Sequence, residues 1–319
     1  MHLGNVFAAM MAWLGARSAG GRFLLRIEDL DPDRCRPEYT AQLKDDLAWL
    51  GLDWDEEQLP QSRRSEAYAS SFAHLEAQGL VYPCYCSRDE LHAASAPHAS
   101  DGRVLYAGTC RNLSAAERAE KTKTPAWRLA VPDAEYAFTD GLQGECRENL
   151  ARECGDFIIR RADGVYAYQL AVVTDDAAGG VTQVVRGKDL LSSVPRQLYL
   201  YLLLGERSPE YFHVPLLIDE SGRRLSKRDG DLDLAALRQT MTAQELLGRL
   251  AWAADLLPEY EPVTLPGLLP CFSWDRVRRD DIVIRSFFRT EEKKLPGTLP
   301  YGETGDCANK STNQGGVLC

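Results

Sequence analysis

Three short stretches of this 319-residue chain hold side chains suited to chemistry. The first is His2-Leu3-Gly4-Asn5, directly ahead of an apolar run with helical spacing. A helix N-terminus presents unpaired N–H groups and the positive end of the helix dipole, so it attracts phosphate. Gly4 lets a nucleotide approach the backbone, and His2 can donate a hydrogen bond to a phosphate oxygen as charge develops there. The second is Arg224-Leu225-Ser226-Lys227-Arg228, a basic loop in which Lys227 can stabilise a departing pyrophosphate. The third is Cys84-x-Cys86 with Cys110 downstream: three thiolates that need one further donor to close a tetrahedral metal site. By ordinary ligand chemistry that donor is His92 or His98. Each stretch alone also has a plain structural reading, as a helix start, a solvated basic loop or a cluster of thiols.

The elements that must position these groups follow from periodicity. Residues 5–19 read as a helix N-capped by Asn5 and stopped by Gly20-Gly21. "RFLLRIEDLD" (22–31) reads as a buried parallel strand whose acidic C-terminal end opens into a site. Pro37 suits N1 of the next helix and Gly51 its C-terminal stop. Tyr68, Phe72 and Leu75 mark another helix. Residues 81–155 are rich in turns and cysteines and lack helical period. Order resumes at "DFIIRRADGVYAYQLAVVTDD", where Asp163-Gly164 suits a hairpin turn between two strands. Strands at 180–187 and 211–218 flank a helix at 194–205, and the chain turns helical after about residue 232. Strands alternating with helices predict an α/β fold with a doubly wound parallel sheet, split by the cysteine-containing insertion.

Bulk properties narrow the class. The chain is 45% hydrophobic, enough for a large core, and no apolar run approaches the ~20 residues of a bilayer span. A soluble cytoplasmic protein is the expectation. The net charge of −10 argues against a generic polyanion binder, although local basic patches still suffice for phosphate contacts. Arg160-Arg161 and Arg276, Arg278 and Arg279 are such patches. The nine cysteines are unevenly spaced, and two separated by one residue suit a metal better than a disulfide.

Taken together and in order, the motifs carry a resemblance. A HIGH-like tetrapeptide at His2–Asn5 with a KMSKS-like loop at Arg224–Arg228 resembles the class I aminoacyl-tRNA synthetases. "RFLLRIEDLDPDR", "DLAWLGLDWDE", "YAYQLAVVTDD" and "VVRGKDLL" resemble the glutamyl branch. "GRRLSKRDGDLDLAALR" and "SWDRVRRDDIV" resemble its short members, the glutamyl-queuosine tRNA(Asp) synthetases; fewer than 100 residues follow Lys227. The resemblance covers roughly residues 1–284.

What the resemblance implies is specific. Glutamate is activated with ATP and Mg²⁺ and transferred to the queuosine base at the wobble position of tRNA(Asp), by a monomer. His2, Gly4, Asn5, Leu225, Ser226 and Lys227 would bind ATP, with His2 and Lys227 catalytic. Glutamate's carboxylate is already ionised, so catalysis is positioning plus charge stabilisation at the α-phosphate. Arg186 would take a carboxylate of glutamate through a bidentate fork, Glu28 the ammonium, and Tyr168 would add a hydroxyl. Asp29 and Asp31 would act behind that site or in the scaffold. For the metal, the resemblance makes Tyr106 the fourth ligand of one structural Zn²⁺ beside Cys84, Cys86 and Cys110. The implied organisation is a first catalytic half at 1–80, a zinc-containing insertion at 81–155, and a second half with the basic loop at 156–232. A helical stem-contact-like region at 233–284 and a flexible tail at 285–319 complete it. Family members carry a strand before the HIGH-like turn, so a chain starting at this turn is expected to be poorly stable and weakly active. The alternatives are a fragment of a glutamyl-tRNA synthetase acting on tRNA(Glu), or an impaired zinc-containing tRNA-binding module.

Overall fold

The apolar spacing of the first twenty residues becomes helix α1 (Leu3–Ser18) in the computed structural model, which describes residues 1–31, 35–87, 90, 105–223 and 233–284. Its N-cap is His2, not Asn5: the imidazole Nδ1 accepts the Asn5 N–H at 3.3 Å, one turn into the helix. Leu3, Val6, Phe7, Met10, Met11, Trp13 and Leu14 are all buried, so apolar groups surround most of the helix. That is the signature of a central helix rather than a surface one.

The segment after α1 is less regular than its apolar pattern predicts. Only Leu24–Leu25 (β1) forms a ladder, in parallel with Glu56–Glu57 (β2). Between them lies helix α2 (Pro37–Leu50), which starts on Pro37 and ends at Gly51 in the left-handed conformation, φ 76°. The carbonyls of Phe23, Leu25 and Ile27 accept from the N–H groups of Asp55, Gln58 and Gln61. One side advances two residues per bond and the other three, so the ladder cannot stay in register. Helix α3 (Ser65–Ala77) follows.

Residues 81–160 contain β-structure that their turn-rich sequence obscures. Strands β3 (Val81–Cys84) and β4 (Ala126–Leu129) pair antiparallel. Strands β5 (Glu135–Asp140) and β6 (Gly144–Asn149) form a hairpin, and β7 (Phe157–Arg160) joins β4. The turn at Asp163-Gly164 leads to a single bridge, Arg160 with Tyr166, and then to helix α4 (Tyr168–Ala178). The second strand expected there is therefore a helix. Leu170, Ala171, Val172 and Val173 are buried on consecutive positions, which removes the periodicity that separates strand from helix.

The parallel part of the fold resumes with β8 (Gln183–Gly187) and β9 (Glu210–Val214), paired from Gln183–Glu210 to Gly187–Val214 and connected through helix α5 (Val194–Leu204). Two residues each of β10 (Leu217–Ile218) and β11 (Ile282–Val283) pair in parallel. Between these lie helices α6 (Leu234–Thr240) and α7 (Ala243–Ala253). One core gathers α1, α2 and α7. A second joins α3, α4, α5 and the β4–β7 pair. A third is small: Tyr82, Cys84, Tyr106 and Cys110.

Asp175 shows what ties the second core together. Its carboxylate is buried on α4 and accepts from Gln61 Nε2 (2.9 Å), Arg64 Nε (2.5 Å) and Tyr68 Oη (2.8 Å). Removing it leaves two buried neutral donors, Gln61 and Tyr68, and the half-buried Arg64 guanidinium without their acceptor. Asp175→Ala is expected to lose about 3–5 kcal/mol in urea unfolding, the usual effect of breaking a buried ion pair from one side.

Candidate active site

Arg186 is the residue about which the site is organised. It lies on β8, is 9% exposed, and pairs in register with His213 on β9. Its Nε–H donates to His213 Nε2 at 3.0 Å. Nη2 donates to Gln197 Oε1 at 2.9 Å and to the Leu190 carbonyl at 3.4 Å. Nη1 meets Tyr168 Oη at 3.3 Å, and the Tyr211 ring lies 5.2 Å from the guanidinium carbon. All of these partners are neutral side chains or backbone. None of the ion pairs among the described residues involves Arg186, although buried cations are ordinarily paired with an anion.

The same cavity is lined by carboxylates in excess of their cation, since Arg26 alone stands against Glu28 and Asp176. Glu28 accepts from Arg26 Nη2 at 3.1 Å, and Arg26 Nη1 donates to Asp176 at 2.6 Å. Burial raises the Asp176 carboxyl above its ordinary range, and the nearby Arg26 guanidinium only partly opposes this. Arg26, Glu28, Tyr168 and Arg186 line one cavity of about 1030 Å³. The three residues expected to hold glutamate thus meet on one space. Sequence reasoning missed Arg26, His213 and Gln197. Only Arg26 left a signal, two positions before Glu28 in the stretch expected to be a strand.

At the start of α1 the geometry sharpens the role of His2. Because Nδ1 accepts the Asn5 N–H, the ring proton of the neutral tautomer sits on Nε2, which is a donor. Gly4 has a local reason as well: a Cβ there would come within 3.2 Å of the His2 ring. His2 also bridges Asp233, and Leu234 N–H donates to the Met1 carbonyl at 3.2 Å. The chain beyond the basic loop therefore returns beside the α1 N-terminus. Leu225, Ser226 and Lys227 themselves lie outside the described residues, as do His92, His98 and the 285–319 segment.

The cysteine cluster has the dimensions of a metal site. Sγ of Cys84, Cys86 and Cys110 all lie within 4.8 Å of one another, and Cys86 and Cys110 are 3.6 Å apart. A tetrahedron with Zn–S bonds of about 2.3 Å has S···S edges of about 3.8 Å. Tyr106 Oη is 3.6 Å from Cys84 Sγ and accepts the Cys110 N–H at 2.8 Å. Burial, then contact with Cys110, pushes the Cys86 thiol up to about 12, and burial likewise raises the Tyr106 phenol. Against burial, Arg128 and neighbouring hydrogen bonds hold the Cys84 thiol below its ordinary value. A cation among these four groups reverses the two upward shifts.

Several other candidate residues have partners within the chain. Asp29 accepts from Ser62 N and Oγ at 2.8 and 2.7 Å, and Asp31 lies 3.6 Å from Arg161. Arg160 stacks against Phe72 and Tyr166, Arg276 donates to the Cys271 carbonyl, and Arg278 pairs with Asp255. Among the described residues no helix is long and apolar enough to cross a membrane.

Comparison with known proteins agrees with this architecture. Residues 1–246 match the family of class I tRNA synthetases (E and Q), catalytic domain. The glutamyl-Q tRNA(Asp) synthetase of Nitratidesulfovibrio vulgaris is 52% identical over 275 residues, 82% of this chain and 85% of that one. The Symbiobacterium thermophilum protein of the same name is 48% identical over 299 residues, 89% and 92% of the two chains. A glutamate tRNA ligase from Elizabethkingia meningosepticum, solved with its amino acid, superposes with a TM-score of 0.76 at 23% identity. That match covers 90% of this chain and 66% of the ligase, and it bears on the fold alone. With the mixed α/β core, the HIGH-like helix start and such identity to these relatives in hand, the chain belongs to the glutamyl-Q tRNA(Asp) synthetase family of class I tRNA synthetases.

Proposed function

We propose that this chain activates glutamate with ATP and transfers it to the queuosine base at the wobble position of tRNA(Asp). The observation that carries the amino-acid half is Arg186: a buried guanidinium without an anionic partner among the described residues, beside a cavity. A carboxylate ligand supplies the missing charge. Since Nε and Nη2 are engaged, the approach is to the Nη1 corner with the Tyr168 hydroxyl rather than to an open fork. Glu28, 41% exposed at its side chain, faces the same cavity and takes the ammonium.

ATP binds at the α1 N-terminus, with His2 Nε2–H and the helix dipole toward its phosphates and Gly4 and Asn5 beneath. Leu225, Ser226 and Lys227 contribute to ATP binding, with Lys227 stabilising the departing pyrophosphate, and Mg²⁺ accompanies the nucleotide. The α-carboxylate of glutamate, not the side-chain carboxylate that pairs with Arg186, attacks the α-phosphate and pyrophosphate departs; no general base is required. Cys84, Cys86, Cys110 and Tyr106 hold one structural Zn²⁺ that stabilises the insertion at 81–155. The enzyme works as a cytoplasmic monomer.

The base-specific transfer is the decisive test. Glutamate labelling is measured on tRNA(Asp) with and without queuosine, with tRNA(Glu) as the third substrate. The expected result is labelling of the queuosine form alone. Labelling of tRNA(Glu), or equal labelling of both tRNA(Asp) forms, overturns the assignment.

A further inference from the structure

We propose that His213 and Asp140 are positioning residues that aim Arg186, through a neutral imidazole whose proton is fixed on Nδ1. The inference rests on reading Arg186 as the partner of the glutamate carboxylate. It begins from a constraint that no protonation state of arginine relaxes: its N–H groups only donate. Arg186 Nε–H points at His213 Nε2 at 3.0 Å, so Nε2 must keep its lone pair. The imidazole proton is therefore on Nδ1, where Asp140 Oδ2 accepts it at 2.5 Å.

Asp140 is built to play this part. It is 1% exposed and sits at the end of β5, where the hairpin turns. Its Oδ1 accepts the N–H groups of Leu142 (3.0 Å), Gln143 (2.8 Å) and His213 itself (3.1 Å). Gln143 Nε2 donates back to the His213 carbonyl at 2.8 Å. The hairpin thus grips β9 at His213 from both sides. His213 is wholly buried, and a solvent-free imidazole with both nitrogens engaged has no freedom to change tautomer or rotate.

The consequence is geometric. With Nε held by His213 and Nη2 by Gln197 and Leu190, the guanidinium plane cannot swing. Its Nη1 corner is left toward Tyr168 and the cavity. A second proton on His213 would set N–H against N–H and cation against cation, and would drive Arg186 off this position. The groups facing the imidazole are Asp140 from β5, Arg186 from β8, Asp189 just after β8, and Tyr211, whose ring stacks at 6.1 Å. Burial and then Arg186 hold the His213 pKa below its ordinary value, against the pull of Asp140. The neutral form therefore persists at neutral pH and is lost only on acidification.

The test is glutamate-dependent ATP–pyrophosphate exchange by the full chain as a function of pH. Wild type is expected to lose kcat/KM for glutamate along an acid limb that lies below the ordinary histidine range, approaching about 10-fold per pH unit once it is entered, with KM for ATP unchanged. His213→Gln keeps an acceptor for Arg186 that does not titrate. It should stay within about 10-fold of wild type at pH 7 and lack the acid limb. Asp140→Asn can present an amide N–H to Nδ1 and move the ring proton to Nε2, as a misplaced tautomer does in hydrolase triads. It should raise KM for glutamate about 10-fold or more without affecting ATP. Coincident pH profiles for wild type and His213→Gln overturn the proposal, and that comparison decides alone if Asp140→Asn does not fold. Arg186→Lys separates the two readings. An unchanged glutamate KM in Arg186→Lys removes the carboxylate assignment itself. A raised KM together with coincident profiles removes only the positioning role of His213 and Asp140.

Discussion

Replacing Arg186 by Ala is expected to lower kcat/KM for glutamate by about 10²–10³-fold while KM for ATP stays within about threefold. The size follows from the charge inventory. Truncating one member of a desolvated, hydrogen-bonded charge pair typically costs about 2–5 kcal/mol of binding. In this pair the member removed carries the positive charge and the Nη1 donor. Stability should move the other way from activity. Folding buries this guanidinium without an ion-pair partner among the described residues, so it is a cost in the free protein. Its loss leaves His213, Gln197, Tyr168 and the Leu190 carbonyl with one unmet hydrogen bond each, about 1 kcal/mol apiece, which offsets the relief. The midpoint in urea should therefore shift little or rise. The contrast with Asp175→Ala, whose carboxylate meets Arg64 inside the second core, is the internal control. Equal losses for glutamate and ATP, or a collapse of stability, would show Arg186 to be scaffold.

How much of this was legible in the sequence depends on which interactions are local. Helix α2 was readable to the residue, because Pro37 at its start and Gly51 at its end act on their own backbone. The register of β8 on β9 was not, although both strands were expected. Arg186 meets His213 across 27 residues and Asp140 meets His213 across 73, and no local pattern encodes either distance. The β5–β6 hairpin did leave a trace. Residues 135–140 alternate exposed and partly buried, yet the buried face is made of Tyr136 and Phe138 beside Asp140, too polar a set to stand out among turns. Helix α4 misled for the opposite reason, since burial on consecutive positions erases periodicity. The residues expected to hold glutamate were named from the family resemblance, with Glu28 and Arg186 also at expected strand ends that open into clefts, a rule that needs no register. The residues that hold Arg186 in place required it.

A large effect on both metal content and stability is expected at the cysteine cluster. Wild type should carry one zinc per chain by elemental analysis, and Cys110→Ser should lose it on dialysis together with about 2–5 kcal/mol of stability. The third core is the reason: four buried side chains, three of them the expected ligands Cys84, Tyr106 and Cys110, are too few to fix the chain around Tyr106–Cys110 against β3 without a cross-link. For a chain of this size such a loss lowers Tm by roughly 5–15 °C. The pH dependence has a definite sign. Zinc needs the thiolates, and without a cation the Cys86 thiol is pushed up to about 12, so protons compete with the metal and zinc is released as pH falls. The fourth ligand is decided by comparing Tyr106→Phe with His92→Ala and His98→Ala. Tyr106 Oη stands 3.6 Å from Cys84 Sγ, close to an edge of a tetrahedron with a Zn–O bond of about 2.0 Å. Its Cys110 N–H donor favours the phenolate over the phenol. Tyr106→Phe should therefore weaken zinc affinity about 10–100-fold, as removal of a ligand or its hydrogen-bonded support does, while both histidine variants bind as wild type. Metal loss in His92→Ala or His98→Ala, with Tyr106→Phe unaffected, would transfer the fourth position to that histidine and leave Tyr106 a packing residue under Arg128, whose guanidinium carbon lies 3.8 Å from its ring centroid.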